Sequence, residues 1–256
     1  MQHIRAKKQF GQHFLKDENV AKRIAGALQN HALYRHVLEI GPGMGILSGF
    51  LFERKEFGTR LIEIDREAVD YLQKKFPSHN EDIISGDFLQ LKLGELYKEP
   101  FAVIGNFPYN ISSQILFKVL ENKDAIPEIV GMFQKEVAER IASGPGNRDY
   151  GILSVLMQAN YNVEILFTLE ENDFVPPPRV KSAVLRFERR EKDVLSCNPK
   201  LFLNVVKTAF NQRRKTLRNA LKGLSQNKDL PYLDLRAEAL HWTQFEELTR
   251  LIEQQK

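Results

Sequence analysis

Cysteine is nearly absent, with Cys197 the one example in 256 residues. A lone cysteine excludes an intrachain disulfide framework and a cysteine-built metal centre, so a reducing, cytoplasmic setting is expected. No run of about eighteen apolar residues occurs, which argues against a membrane-spanning helix and against a membrane partner. The opening residues Met1 to Lys8 lead into no apolar stretch of the kind that marks a secretory signal. No internal repeat, no low-complexity segment and no set of metal-ligating residues is visible. What remains is a chain that is 43% hydrophobic and long enough for one large core, or a core with a small appended domain.

Acidic residues are also missing, but locally. From Ser196 to Lys228 there are eight basic residues and no acid, and the first sixteen residues carry Arg5, Lys7, Lys8 and Lys16 without one. Residues 196–256 hold 11 Lys and Arg against 6 Asp and Glu, while residues 1–195 hold 26 against 27. The net charge of +4 therefore belongs to the C-terminal quarter. Two basic ends around a neutral middle suit a polyanionic partner; a solvated basic surface is the plainer alternative.

Apolar runs alternate with helix-like stretches over the first 135 residues, as in a largely parallel sheet covered by helices. The strands expected are Val37 to Ile40, Arg60 to Ile64, Ile83 to Ser85, Phe101 to Gly105 and Ile129 to Phe133. Helices are expected over Ile46 to Lys55, Glu67 to Phe76, Ser113 to Asn122 and Gln134 to Ser143. Tyr161 to Thr168 and Ser182 to Glu188 alternate as late antiparallel strands on either side of the stiff loop Phe174 to Pro178. Asn198-Pro199 reads as an N-cap with proline at the first helical position, and a boundary near residue 192 divides the chain into 1–192 and 193–256. In the second part Lys207, Arg214, Arg218 and Lys222 form a basic stripe if the helix is continuous. Thr243 to Glu246 reads as a capping box for the last helix.

Three features carry chemistry. Glu39-Ile40-Gly41-Pro42-Gly43-Met44-Gly45 follows the first strand and opens a helix, a backbone shaped for close approach to a ligand. Such a loop fits NAD, FAD or S-adenosylmethionine, but its spacing lacks the last step of the dinucleotide fingerprint. Acids at the next two strand ends suit a nucleoside: Glu63 or Asp65 for ribose hydroxyls, with spacing unable to choose between them, and Asp87 for an adenine amino group. Asn106-Phe107-Pro108-Tyr109 then sets an amide, a rigid turn and an aromatic face at the end of a strand. An amine on a flat ring is a poor nucleophile because its lone pair is delocalised. Two oxygen acceptors would favour a more pyramidal nitrogen, and Tyr109 would offer a stacking surface.

These features, with Lys8 to Leu15, Gln134 to Val137, Phe174 to Val180 and Asn211 to Leu221, resemble the ribosomal RNA adenine N6-dimethyltransferases, most closely the small-subunit type. The resemblance implies a Rossmann-like α/β methyltransferase domain, with a mostly parallel seven-stranded sheet and an antiparallel strand, plus a small all-α C-terminal domain. It implies S-adenosyl-L-methionine held by His13, Leu15, Gly41, Gly43, Glu63, Asp87 and Asn106, and so favours Glu63 over Asp65. The target adenine would meet Asn106, the Phe107 carbonyl and Tyr109, with Phe174 as a second aromatic wall; core packing is the plainer role for the rings of Phe10, Phe14 and Phe107. His13 stands where many members have Asn, and Phe107 where Leu is usual. The implied substrate is 16S rRNA in the small subunit or its precursor, gripped by Lys7, Lys8, Lys207, Arg213, Arg214, Arg218 and Lys222 of a monomer. The competing readings are a large-subunit adenine methyltransferase of the antibiotic-resistance type and a non-catalytic ribosome-assembly factor.

Overall fold

The computed structural model describes residues 6–7, 10–190 and 195–255. Its strands and helices alternate from β1 (Phe14–Leu15) and α1 (Glu18–Gly26) through β2 (His36–Ile40), α2 (Ile46–Glu53), β3 (Gly58–Glu63), α3 (Arg66–Lys75) and β4 (Ile83–Ser85). A short α4 (Leu93–Leu96) precedes β5 (Phe101–Asn106), α5 (Ser112–Glu121), β6 (Glu128–Gln134) and α6 (Lys135–Ala142). After α7 (Ile152–Asn160) come β7 (Tyr161–Leu169), β8 (Phe174–Val175) and β9 (Ser182–Arg189). Three further α-helices follow among the described residues, α8 (Pro199–Asn211), α9 (Leu217–Ala220) and α10 (Trp242–Glu253).

Seven strands form one sheet in the order β4-β3-β2-β5-β6-β9-β7, and β1 pairs with β8 in a separate ribbon. The pairs β3–β4, β2–β3, β2–β5 and β5–β6 are parallel, and β9 runs antiparallel to β6. Central strands buried on both faces read as continuous apolar runs: Phe101 to Ile104 and Ile129 to Phe133 are almost wholly inaccessible. The chain leaves β2 toward β3 and β4, then returns to β5 and proceeds the other way. Strand order thus reverses between β2 and β5, and the crevice at their carboxyl ends is where an open α/β sheet places its ligand.

By its internal contacts the chain divides into two compact units, Met1–Ala138 with Glu164–Arg189, and Glu139–Val163 with Arg190–Lys256. The second is discontinuous, where composition pointed to a single cut near residue 192. Its core explains why: Tyr150, beside α7, packs edge-on against Phe210 of α8, and Phe210 against Phe245 of α10, with centroids 6.1 and 5.8 Å apart. Asn198 caps α8 as expected, its side chain accepting from the Lys200 and Leu201 amides ahead of Pro199 at the helix start.

Two local expectations are corrected. The helix that would carry the basic stripe is not continuous. It stops at Asn211 because the next segment turns to pair with residues 233–236: Thr216 bridges Arg236, and the Leu217 and Arg218 amides donate to the Leu235 and Leu233 carbonyls at 2.8 Å. The last helix begins earlier than Thr243. His241 is its cap, Nδ1 accepting from the Thr243 amide while Gln244 Oε1 accepts from the His241 amide, so the reciprocal pair sits two residues upstream.

Candidate active site

A cavity of about 330 Å³ lies over the carboxyl ends of β2, β3 and β5, lined by the glycine loop, the ends of the acidic strands, Asn106 to Ile111 and the segment Phe10 to Leu15. Of the residues singled out in the sequence, it brings together His13, Leu15, Gly41, Gly43, Glu63, Asp87, Asn106, Phe107 and Tyr109.

The glycine loop is left-handed at Gly41, Gly43 and Gly45, with φ of 68°, 55° and 69°. At Gly43 a side chain is doubly excluded, since a Cβ would also lie 2.8 Å from the Phe14 ring. Lys75, from the end of α3, donates to the Met44 and Gly45 carbonyls at 2.8 and 3.2 Å and fastens the loop from behind. Glycine spacing gives no hint of this lysine, because its partners lie some thirty residues away.

The three acids are held differently. Glu63 is buried, its two carboxylate oxygens accepting from the Gly43 and Asp65 amides at 3.1 and 3.0 Å; burial raises its pKa while those amides oppose the shift. Asp65, its competitor by spacing, is used elsewhere. It caps α3, pairs with Lys7 at 2.7 Å and accepts from Gln12 at 3.3 Å, and it does not line the cavity. Asp87 caps the turn after β4 by accepting from the Leu89 amide at 2.8 Å. Glu39 is the residue that sequence reading passed over as part of a motif. It is 1% exposed, lines the cavity and leaves Oε2 without a hydrogen-bond partner. Burial pushes its pKa up to about 8; the Ser48 hydroxyl and the Lys75 charge pull the other way, and Glu63 adds to the rise.

On the other side of the cavity, Gly105 of β5 is paired with Gly131 of β6. A Cβ at Gly131 would lie 2.5 Å from the Phe107 ring and one at Gly105 3.2 Å from it, so the two glycines form the hollow that takes this side chain. Phe107 is fully buried, edge-on to Phe133 at 5.3 Å, and the packing role of its ring leaves its main chain to the cavity. Asn106 Nδ2 donates to the His13 carbonyl at 2.7 Å. The Tyr109 hydroxyl is 2.5 Å from that of buried Ser182, and its ring stacks with His13 at 5.5 Å between centroids. His13 Nδ1 lies 2.8 Å from the Pro176 carbonyl, a geometry that requires the proton on Nδ1. Phe174 is a correction: it is 1% exposed, sits opposite Leu15 in the β1–β8 ribbon, joins the hydrophobic core and does not line the cavity. The aromatic neighbour of Tyr109 here is His13.

Among the proposed RNA contacts, Lys8 lies outside the described residues. Lys7 is paired with Asp65 and Glu67. Arg213 pairs with Glu238 at 2.6 Å and Arg218 with Asp234 at 2.9 Å. Lys207, Arg214 and Lys222 are exposed.

These residues fit a nucleoside with a cationic tail. Glu63 and Asp87 retain lone pairs for hydroxyl and amino donors, and the orphaned oxygen of Glu39 calls for a cation or a donor. Known proteins agree. The chain is 52% identical over 255 residues to ribosomal RNA small subunit methyltransferase A of Cytophaga hutchinsonii, covering 98% of this chain and 99% of that one. It is 56% identical over 254 residues to the protein of that name from Parabacteroides distasonis, covering 97% and 94%. Among solved structures, a dimethyladenosine transferase from Plasmodium falciparum shares the fold, with a TM-score of 0.75 at 22% identity over 92% of this chain and 96% of that one. The 23S rRNA methyltransferase ErmE gives a TM-score of 0.70 at 25% identity, over 94% and 99%. The ribosomal RNA adenine dimethylase family model matches residues 3–249, and the chain belongs to that family.

Proposed function

We propose that the protein uses S-adenosyl-L-methionine to dimethylate N6 of two adjacent adenosines in the 3′-terminal hairpin of 16S rRNA during small-subunit assembly. The observation that carries this reading is Asn106, anchored through Nδ2 beside Tyr109 in the same cavity as Glu39, Glu63 and Asp87. The cofactor would supply a methyl group on a cationic sulfur that departs as a neutral thioether.

The chain's own groups do the rest. Glu63 accepts the ribose hydroxyls, Asp87 the adenine amino group of the cofactor, and Glu39 faces its cationic amino-acid end. Asn106 Oδ1 and the Phe107 carbonyl accept the N6 hydrogens of the target base, drawing its lone pair out of the ring toward the methyl group. Stacking on Tyr109 offsets part of the cost of taking the base out of its helix. After one transfer the cationic nitrogen releases a proton to water and keeps a single hydrogen, and one acceptor suffices to aim it again. Exposed Arg214 and Lys222 would meet phosphates.

The small-subunit name borne by the sequence relatives favours this substrate over large-subunit RNA. The intact Asn106 arrangement favours an enzyme over a purely structural assembly factor. Incubation with labelled S-adenosylmethionine and undermethylated small subunits should label adenosine, and Asn106→Ala should abolish labelling while retaining RNA binding. Label appearing in large-subunit RNA alone, or in no RNA, would overturn the proposal.

A further inference from the structure

Lys118 lies on α5, the helix that follows the Asn106 to Tyr109 turn, but its ammonium serves another loop. Nζ donates to the carbonyls of Phe88 at 2.6 Å, Leu89 at 2.9 Å and Leu91 at 2.5 Å. All three of its donors are thereby used on one turn of main chain. That turn begins at Asp87, whose carboxylate accepts from the Leu89 amide at 2.8 Å. A half-buried ammonium is costly to desolvate unless its donors are met. Here burial lowers its pKa, and the charges of Asp87 and Glu121 act in the opposite direction. The turn is thus closed by a carboxylate at its start and an ammonium on its carbonyls.

We infer that Lys118 is a positioning residue: it holds the Asp87 turn in the shape that recognises an adenine amino group, and it ties that turn to the helix that follows the substrate motif. The inference rests on the proposal that Asp87 accepts from the cofactor's adenine. Removing the ammonium would leave three carbonyls to rearrange toward water and would let the Asp87 side chain drift. Binding of the cofactor's ribose and amino-acid portions, which Glu63 and Glu39 govern, would persist.

Selectivity between purines reads this out. Dissociation constants are measured for S-adenosylhomocysteine and for S-inosylhomocysteine, which has an oxo group in place of the 6-amino group, with RNA affinity and the thermal midpoint as checks on folding. The wild type should prefer the adenosine compound, and Asp87→Ala should erase the preference. Lys118→Met should reduce the preference by about tenfold to a hundredfold, on the scale of a small misplacement at a binding group. RNA affinity should stay unchanged. Lys118→Gln, a milder change, should fall between, and it carries the test if the Met variant does not fold. If Asp87→Ala keeps the preference, the adenine role of Asp87 fails and the inference falls with it. If Asp87→Ala erases it while the Lys118 variants keep it, or weaken both ligands equally, the positioning role alone is overturned.

Discussion

The Asn106 side chain is anchored by the main chain of His13, through an Nδ2 to carbonyl bond of 2.7 Å. A carbonyl can only accept, so the amide has one orientation, with Oδ1 turned away from His13 and left to accept from another group. This bond joins the segment before α1 to the end of β5, two parts of the chain 93 residues apart. Asn106→Ala should lower kcat by at least about 10² to 10³, the scale for loss of an oriented group in a reacting centre, which takes product below detection in an end-point assay. Asn106→Asp keeps the shape but faces the His13 carbonyl with an oxygen, and should be equally impaired. Single-turnover kinetics with RNA affinity measured in parallel checks both; a loss confined to RNA binding would contradict the assignment.

Ser182 and Tyr109 form the second pair of the site. The hydroxyl contact holds the ring in place, so Ser182→Ala and Tyr109→Phe should each reduce kcat/KM modestly, and the double variant should be no worse than either alone. Tyr109→Ala removes the stacking face and should cost roughly 5- to 150-fold, as for loss of one base–aromatic contact. Additive losses in the double variant would show that the two hydroxyls act separately.

On the proposed role of Glu39, cofactor binding should depend on pH. With its pKa raised to about 8, the carboxyl is largely protonated in the free protein at neutral pH. A bound cation favours the ionised form, so binding should release protons near pH 7, and affinity should climb with pH and level off above about 8. Stability runs the other way. Between the ordinary carboxyl pKa of 4.5 and about 8 the folded state holds a proton that the unfolded state has lost, so stability falls as pH rises through that window. Glu39→Gln should remove both effects, weakening cofactor binding while raising the thermal midpoint at pH 8 more than at pH 5. Calorimetry in buffers of different ionisation heat measures the proton release; equal release by wild type and variant would sink the idea.

Arg213 and Arg218 are each paired with an acid, so the exposed Arg214 and Lys222 should carry more of the phosphate contact. Arg214→Ala with Lys222→Ala should weaken RNA binding and reduce the slope of log affinity against log salt by about 1 to 2, near one unit per lost phosphate contact. A titration series in KCl tests it, and an unchanged slope would reduce these residues to a solvated surface.

Much of the site could be read from the chain because it lies in short contiguous pieces. Gly41 to Gly45, Asp87 and Asn106 to Tyr109 each end a strand, and strand ends are marked by local pattern. Glu63 and Asp65 could not be separated by spacing, since the choice depends on Lys7 and Gln12 reaching Asp65 from more than fifty residues away. Lys75 and Lys118 were invisible for the same reason: a lysine on a helix gives no sign of which loop its ammonium will meet. Phe174 was misplaced because its pairing with Leu15 buries it in the core. The basic stripe assumed an unbroken helix, and the turn at Gln212 to Thr216 is fixed by pairing with Arg236, a tertiary contact that periodicity does not carry.

The most direct measurement is mass spectrometry of nuclease fragments from undermethylated small subunits after incubation with the protein and S-adenosylmethionine. The proposed activity predicts N6,N6-dimethyladenosine at two adjacent positions of the 3′-terminal hairpin, none with Asn106→Ala, and none in large-subunit RNA. Methyl groups on other atoms or at other sites, or unmodified RNA despite demonstrated cofactor binding, would contradict it.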